Sequence, residues 1–179
     1  MSSGNVSIKD CPIVLDVRGF LKKLADGDTH AAMSICREAL PFPGIIGSMC
    51  VSPCSRFFDR NMPLISEFER FLLNDELDEF GRPVYNLKQQ DKTDFRVAVV
   101  GAGPSGLMAA HDLAIKGHHV EVFEREPKPG GMLDRAISSE RLPRHILFSE
   151  MDIFRKLDVR FNFGVTMGQN STVGGLLGD

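Results

Sequence analysis

One stretch restricts the fold more than any other. Phe95-Arg-Val-Ala-Val-Val100 is followed by Gly101-Ala-Gly-Pro-Ser-Gly106 and then by an apolar-periodic segment that stops at Gly117. The first run is short, apolar and β-branched, as a strand buried in a parallel sheet requires. Leu107, Ala110, Leu113 and Ala114 recur at helical spacing, and Gly117 is placed to end that helix. Three glycines spaced Gly-x-Gly-x-x-Gly between a strand and a helix have separate tasks. Gly101 permits the tight turn, Gly103 lacks the Cβ that would hold a pyrophosphate away, and Gly106 lets helix and strand approach closely. Pro104 suits the first helical turn, where its missing N–H costs nothing. The exposed amides and the positive helix end then face an anion.

The next elements fit the same unit. His119-Val-Glu-Val-Phe123 reads as a second strand, and Glu124 lies at its end. That position, roughly 20 residues after the glycines, is where an acidic side chain receives the hydroxyls of an adenosine ribose. Its charge repels a 2′-phosphate, which leaves FAD and NAD rather than NADP for this site. Gly130-Gly131 offers a second close backbone approach, as a long, bent flavin cofactor would use. Residues 125–142 read as a loop. Pro143 opens a helix to about Leu157, with Ile146, Leu147, Met151, Ile153 and Phe154 as apolar positions, and Val159-Arg-Phe-Asn-Phe163 is a third strand. The segment from Gly174-Gly175 to Asp179 has no core of its own.

Residues 1–75 have another character, that of short helices. Asp16 caps a helix through about Ala25, with Val17, Phe20, Leu21 and Leu24 on one face and Gly27 ending it. Asp28 or Thr29 caps a second helix to about Leu40, which Pro41 and Pro43 forbid from continuing. Residues 41–62 read as a loop, and a third helix starts near Pro63. Residues 76–94 are polar and read as a linker or a surface strap. The expected fold is therefore α plus α/β. An all-helical domain over 1–75 precedes the first part of a Rossmann-like, doubly wound parallel domain over 95–179.

Cysteine and charge narrow the chemistry. Among four cysteines, Cys36 sits at core spacing between Met33 and Leu40. Cys50 and Cys54 form Cys-x3-Cys, close enough for two ligands to reach one metal centre. The net charge is −3, and neither half of the chain has a basic excess. A nucleic-acid or membrane-surface partner thus has no electrostatic support. No apolar run approaches the ~18 residues of a membrane span. The N-terminus has no secretory pattern, so the expected location is cytoplasmic. The five histidines are scattered, and no Ser-His-Asp or Cys-His constellation stands out.

Gly101-Ala-Gly-Pro-Ser-Gly, Val122-Phe-Glu124, Pro129-Gly-Gly-Met132 and Arg141-Leu-Pro143 together resemble the flavin domain of the glutamate synthase small subunit. Dihydropyrimidine dehydrogenase and related NAD(P)H–iron–sulfur oxidoreductases share that module. Cys11-Pro-Ile13, Pro41-Phe-Pro43 and Gly47-Ser-Met-Cys-Val-Ser-Pro-Cys54 resemble the same family's N-terminal helical iron–sulfur domain. The resemblance implies that Gly101, Ala102, Gly103, Pro104, Ser105 and Gly106 hold the FAD pyrophosphate. It also implies that Glu124 takes the adenosine ribose with Arg125 beside it, that Gly131 and Met132 approach the cofactor by backbone, and that Arg141 contacts FAD. Ala136-Ile-Ser138 departs from the family's Gly-Ile-Pro.

Family members hold two [4Fe–4S] clusters. The ligands of one are missing here, with nothing before Cys11 and Phe58 at the last cysteine position. The other set matches Cys11, Cys50, Cys54 and an oxygen ligand at Glu69, a chemically tolerable combination. The alternative is a relic fold with buried thiols and Glu69 on a solvated helix face. Two functions stand side by side. One is the FAD-binding, electron-transferring portion of an NAD(P)H-dependent oxidoreductase, and the other is a catalytically reduced paralogue serving as a structural or docking subunit. The sequence contains no second glycine-rich nucleotide motif, so an NAD(P)H domain or further polypeptide is expected to complete the flavin site. Three parallel strands with an unpaired edge are expected to be unstable alone.

Overall fold

The computed structural model describes residues 15–50 and 88–178. The chain divides into two compact units, Met1–Asn86 and Leu87–Asp179. The expected third helix near Pro63 lies outside the described residues, as do Cys11, Cys54 and Glu69.

In the first unit, helix α1 (Val17–Ala25) and helix α2 (Thr29–Ala39) each begin at an aspartate. Asp16 accepts the Gly19 N–H at 3.0 Å, and Asp28 accepts the Ala31 N–H at 3.1 Å. Asp28, not Thr29, is therefore the second cap. Gly27 turns the chain between the helices at φ +76°, a conformation that costs glycine nothing. Val17, Phe20, Ala32, Met33, Cys36 and Leu40 bury one core between the helices, with Ile46 packed against it. Cys36 is a core residue, as its spacing suggested.

Pro43 begins a further helix, α3 (Pro43–Met49), inside the segment expected to be a loop. The two prolines do end α2, but a proline at the first helical position also starts a helix well, and Ile45 supplies the buried contact.

The Asp28 cap carries a pH signature. Its hydrogen bond to the Ala31 amide, followed by the nearby Lys23, holds the carboxyl below its ordinary range. A lowered folded-state pKa stabilises above the unfolded value and is lost as pH falls through the folded one. Asp28→Ala should lower the melting temperature modestly at neutral pH, and the gap to wild type should narrow as pH falls through and below the ordinary carboxylate value of about 4. Circular-dichroism melts across that range check it, and a gap independent of pH contradicts it.

The second unit is a three-stranded parallel sheet in the order β1–β2–β3, with β1 (Arg96–Val100), β2 (His119–Glu124) and β3 (Arg160–Phe163). Helix α4 (Pro104–Ile115) connects β1 to β2 and packs on both. The helix expected over 143–157 is two segments, α6 (Arg144–Glu150) and α7 (Asp152–Lys156). At the join, Phe154 N–H donates to the Met151 carbonyl at 3.2 Å, a bond spanning three residues. Buried Leu147, Glu150 and Ile153 stand three apart, and a three-residue turn keeps them on one side. Short helices α5 (Met132–Arg135) and α8 (Val173–Leu176) complete the unit.

Register explains the sheet's two faces. Val97 pairs with Val120, and Val99 pairs with Val122, which pairs with Phe161. Phe161 packs edge-on to buried Phe154, with centroids 5.5 Å apart. On the other face Arg96, Ala98 and Val100 are exposed, beside Glu121, which lies 3.7 Å from Arg96 and accepts from Asn162 at 3.2 Å. The expectation that β1 is buried on both faces is thus corrected: its second face stays exposed, with only residues 175–178 among the described ones bordering the open space beside it.

Residues 89–93 are bound to this unit. Gln90 N–H donates to the Ile115 carbonyl at 2.8 Å, and Thr93 N–H to that of Gly117 at 3.0 Å. No helix among the described residues is long and apolar enough to cross a membrane.

Candidate dinucleotide-binding site

Parallel strands leave their crevices at their carboxyl ends, and here those ends bring the sequence signals together. Gly101 leaves β1 at φ +95°, while its N–H donates to the Phe123 carbonyl at 2.8 Å. The chain then enters α4 with Gly103 as N-cap and Pro104 in the first turn. A Cβ on Gly106 would overlap the Gly101 carbonyl oxygen and reach the Val99 side chain, whereas one on Gly103 would meet nothing within 4 Å. Gly106 therefore serves packing and Gly103 keeps space open. The amides of Ser105 and Gly106 have no intrahelical acceptor, as at every helix start.

Glu124 is buried at 7% exposure. Its two oxygens accept the Ala102 N–H at 2.6 Å and the Glu126 N–H at 2.9 Å. A carboxylate has about four acceptor positions, so two remain for ribose hydroxyls. The 130–131 turn closes the other side. Gly130 N–H donates to the Ala102 carbonyl at 2.8 Å. A Cβ on Gly131, whose φ is +53°, would stand 2.8 Å from the Gly103 Cα. Two backbones thus meet at a distance that only glycine allows.

Between them lies a cleft of about 330 Å³, within the range of small-molecule sites. Of the residues singled out in the sequence, Gly101, Gly103, Pro104, Glu124, Arg125, Gly131 and Met132 line it. Ala102 is buried behind Glu124, Gly106 packs on the strand, and Ser105 and Arg141 are exposed and do not line it. The other wall residues were not anticipated as such: Val100, Phe123 and Glu126 at and beside the strand ends, and Arg135, Val165, Thr166 and Met167. Arg135 stands one helical turn from Met132. Residues 165–167 follow the carboxyl end of β3, where Val165 N–H donates to the Glu124 carbonyl at 2.9 Å. Residues 165–167 could have been found by extending the carboxyl-end rule to the third strand. Arg125 and Arg135 lie 3.4 Å and 3.0 Å from the same Glu126 oxygen.

The open space before Gly103, the buried acceptor at Glu124 and the glycine-to-glycine contact fit the pyrophosphate and ribose of a dinucleotide. Of the four residues matched to a cluster, only Cys50 lies among the described ones. It is exposed and follows α3, its N–H donating to the Ile46 carbonyl at 2.7 Å.

Comparison with known proteins agrees with both halves. Residues 3–79 match the family described as dihydropyrimidine dehydrogenase domain II, 4Fe-4S cluster. Residues 99–160 match the NAD(P)-binding Rossmann-like domain. The NADP(+)-dependent formate dehydrogenase subunit beta of Moorella thermoacetica is 33% identical, over 93% of this chain and 27% of that protein. The glutamate synthase [NADPH] small chain of Escherichia coli is 29% identical, over 94% and 37%. The NADPH-Fe(3+) oxidoreductase subunit beta of Geobacter sulfurreducens is 28% identical, over 89% and 24%. The chain thus spans between 24% and 37% of the length of these relatives. Across both units this chain is similar to the glutamate synthase small subunit and dihydropyrimidine dehydrogenase type of NAD(P)H–iron–sulfur flavoprotein.

Proposed function

We propose that this chain is the FAD-binding, electron-transferring portion of an NAD(P)H-dependent oxidoreductase. The observation that carries the reading is the contact of Gly131 with Gly103 beside the buried Glu124. In this reading the second unit, with residues 95–179 as its Rossmann-like part, holds FAD. The helical unit holds one [4Fe–4S] cluster on Cys11, Cys50, Cys54 and Glu69. The family match over residues 3–79 supports the cluster, and relatives named as beta subunits and a small chain support assembly into a larger complex. A further polypeptide or domain supplies the NAD(P)H site.

FAD, when bound, takes up hydride and releases electrons, chemistry that belongs to the cofactor. The chain's own residues bind and orient. The amides at the start of α4 meet the pyrophosphate. Glu124 accepts the ribose hydroxyls with the two positions its backbone partners leave open. Met132 and the 165–167 segment exclude water from the cleft. No side chain is needed as a general acid or base.

Anaerobic purification of the full chain tests this. Denaturation should release about one flavin per chain, and iron should approach about four atoms per chain. Absence of flavin from the chain purified with the polypeptide that completes the flavin site refutes the FAD site. Iron far below one cluster leaves the relic helical domain, and with it the docking-subunit reading.

A further inference from the structure

The loop that brings Gly131 to Gly103 has little structure of its own. Its single helical turn, α5, is four residues long, far below the length at which a helix supports itself. An ion-paired clamp behind it supplies what the turn lacks. The Asp134 carboxylate, 10% exposed, lies 3.0 Å from Arg144 Nε on one oxygen and 2.8 Å from Lys128 Nζ on the other. The rest of the Arg144 guanidinium donates to three carbonyls, those of Asp134 at 2.5 Å, Ile137 at 2.7 Å and Leu142 at 2.9 Å. One planar fork therefore ties three points of the loop to the start of α6. Only arginine has the donors and rigidity for this.

The clamp is joined to the cleft through geometry. Met132 and Arg135, one helical turn apart, line the cleft, while Asp134 between them pairs with the clamp. Gly130, bonded to the Ala102 carbonyl, would meet the Asp134 Cβ at 3.3 Å if it carried a side chain of its own. Moving Asp134 therefore moves both the glycine contact and the two wall side chains.

We propose that Asp134 and Arg144 are positioning residues that hold the 130–136 turn against the glycine loop in the free protein, so that the dinucleotide cleft is formed before its ligand arrives. The effect on the ligand rests on the FAD reading; the effect on the turn does not.

The test uses the full chain with Asp134→Asn and Arg144→Lys, the latter keeping the charge but losing the fork. Without ligand, amide hydrogen exchange over residues 130–136 should accelerate about tenfold or more in each variant, with α4 and β2 unchanged. Added FAD should bind about tenfold more weakly to each variant than to wild type. The double variant should be scarcely worse than Arg144→Lys, because both changes remove one unit. Unchanged exchange in the turn overturns the proposal. So does acceleration spread equally over α4 and β2, or a loosened turn with unaltered FAD affinity. Wild-type protein that binds no FAD refutes the FAD reading alone, and the exchange result still decides the clamp.

Discussion

Gly103→Val is expected to strip the chain of flavin while leaving it folded. Gly103 has φ −80° and ψ −179°, extended backbone that valine adopts readily. A Cβ there meets no atom within 4 Å beyond its own chain neighbours, so the added β-carbon has room in the free chain. The space it fills is the cleft itself, in front of the amides that begin α4. Overfilling a formed site costs on the order of 1–3 kcal/mol, and each 1.4 kcal/mol is about tenfold in affinity. Flavin affinity should therefore fall about 10- to 100-fold, enough to leave purified protein colourless. Gly106→Val is the control with the opposite logic. Its Cβ would overlap the Gly101 carbonyl, so β1 and α4 could not both keep their places and the second unit should fail to fold. Flavin content and circular dichroism measured on both variants separate the two roles. Full flavin retention by a folded Gly103→Val protein would remove the pyrophosphate from this loop.

The two glycine loops were legible because backbone geometry that only glycine meets leaves its mark on residue type. Gly101 at φ +95° and Gly131 at φ +53° are such positions. The capping aspartates and the six-residue core around Phe20 and Met33 were legible for a similar reason, since caps and burial select side chains directly. The open face of the sheet was partly written in the sequence as well. His119-Val-Glu-Val-Phe-Glu124 and Arg160-Phe-Asn-Phe163 alternate, which is the pattern of a sheet covered on one side. The uniform run of β1 masked that signal, because Ala98 and Val100 are apolar without being buried. The helix α3 was missed because a proline both stops one helix and starts another. The Arg144 clamp had no sequence signal, since its bonds go to carbonyls that any residue would present. Arg135 was missed for lack of α5, and α5 exists only because the clamp folds it.

Glu124→Gln is the second large effect, and it reaches the fold as well as the ligand. The carboxylate accepts one backbone N–H on each oxygen, from Ala102 and from Glu126. A carboxamide has a single oxygen, so its NH₂ must face one of these N–H donors. Either the Ala102 amide, in a fully buried residue, or the Glu126 amide loses its acceptor. A buried donor left unsatisfied costs about 1–3 kcal/mol, and the bond that remains is weaker for having lost the charge. Ala102 also accepts from Gly130, so a shift of its peptide reaches the Gly131 contact. The ribose simultaneously loses its anionic acceptor. The variant should therefore melt lower than Gly103→Val and release flavin more readily than wild type. Asp at this position should do no better, because a side chain one methylene shorter cannot span both amides. Thermal melts with and without added FAD measure the two parts: the ligand-free difference reports the lost backbone bond, and the smaller FAD-induced rise reports the lost ribose contact. A Glu124→Gln protein with wild-type melting and a wild-type rise on FAD addition would show that neither amide nor ribose depends on this carboxylate.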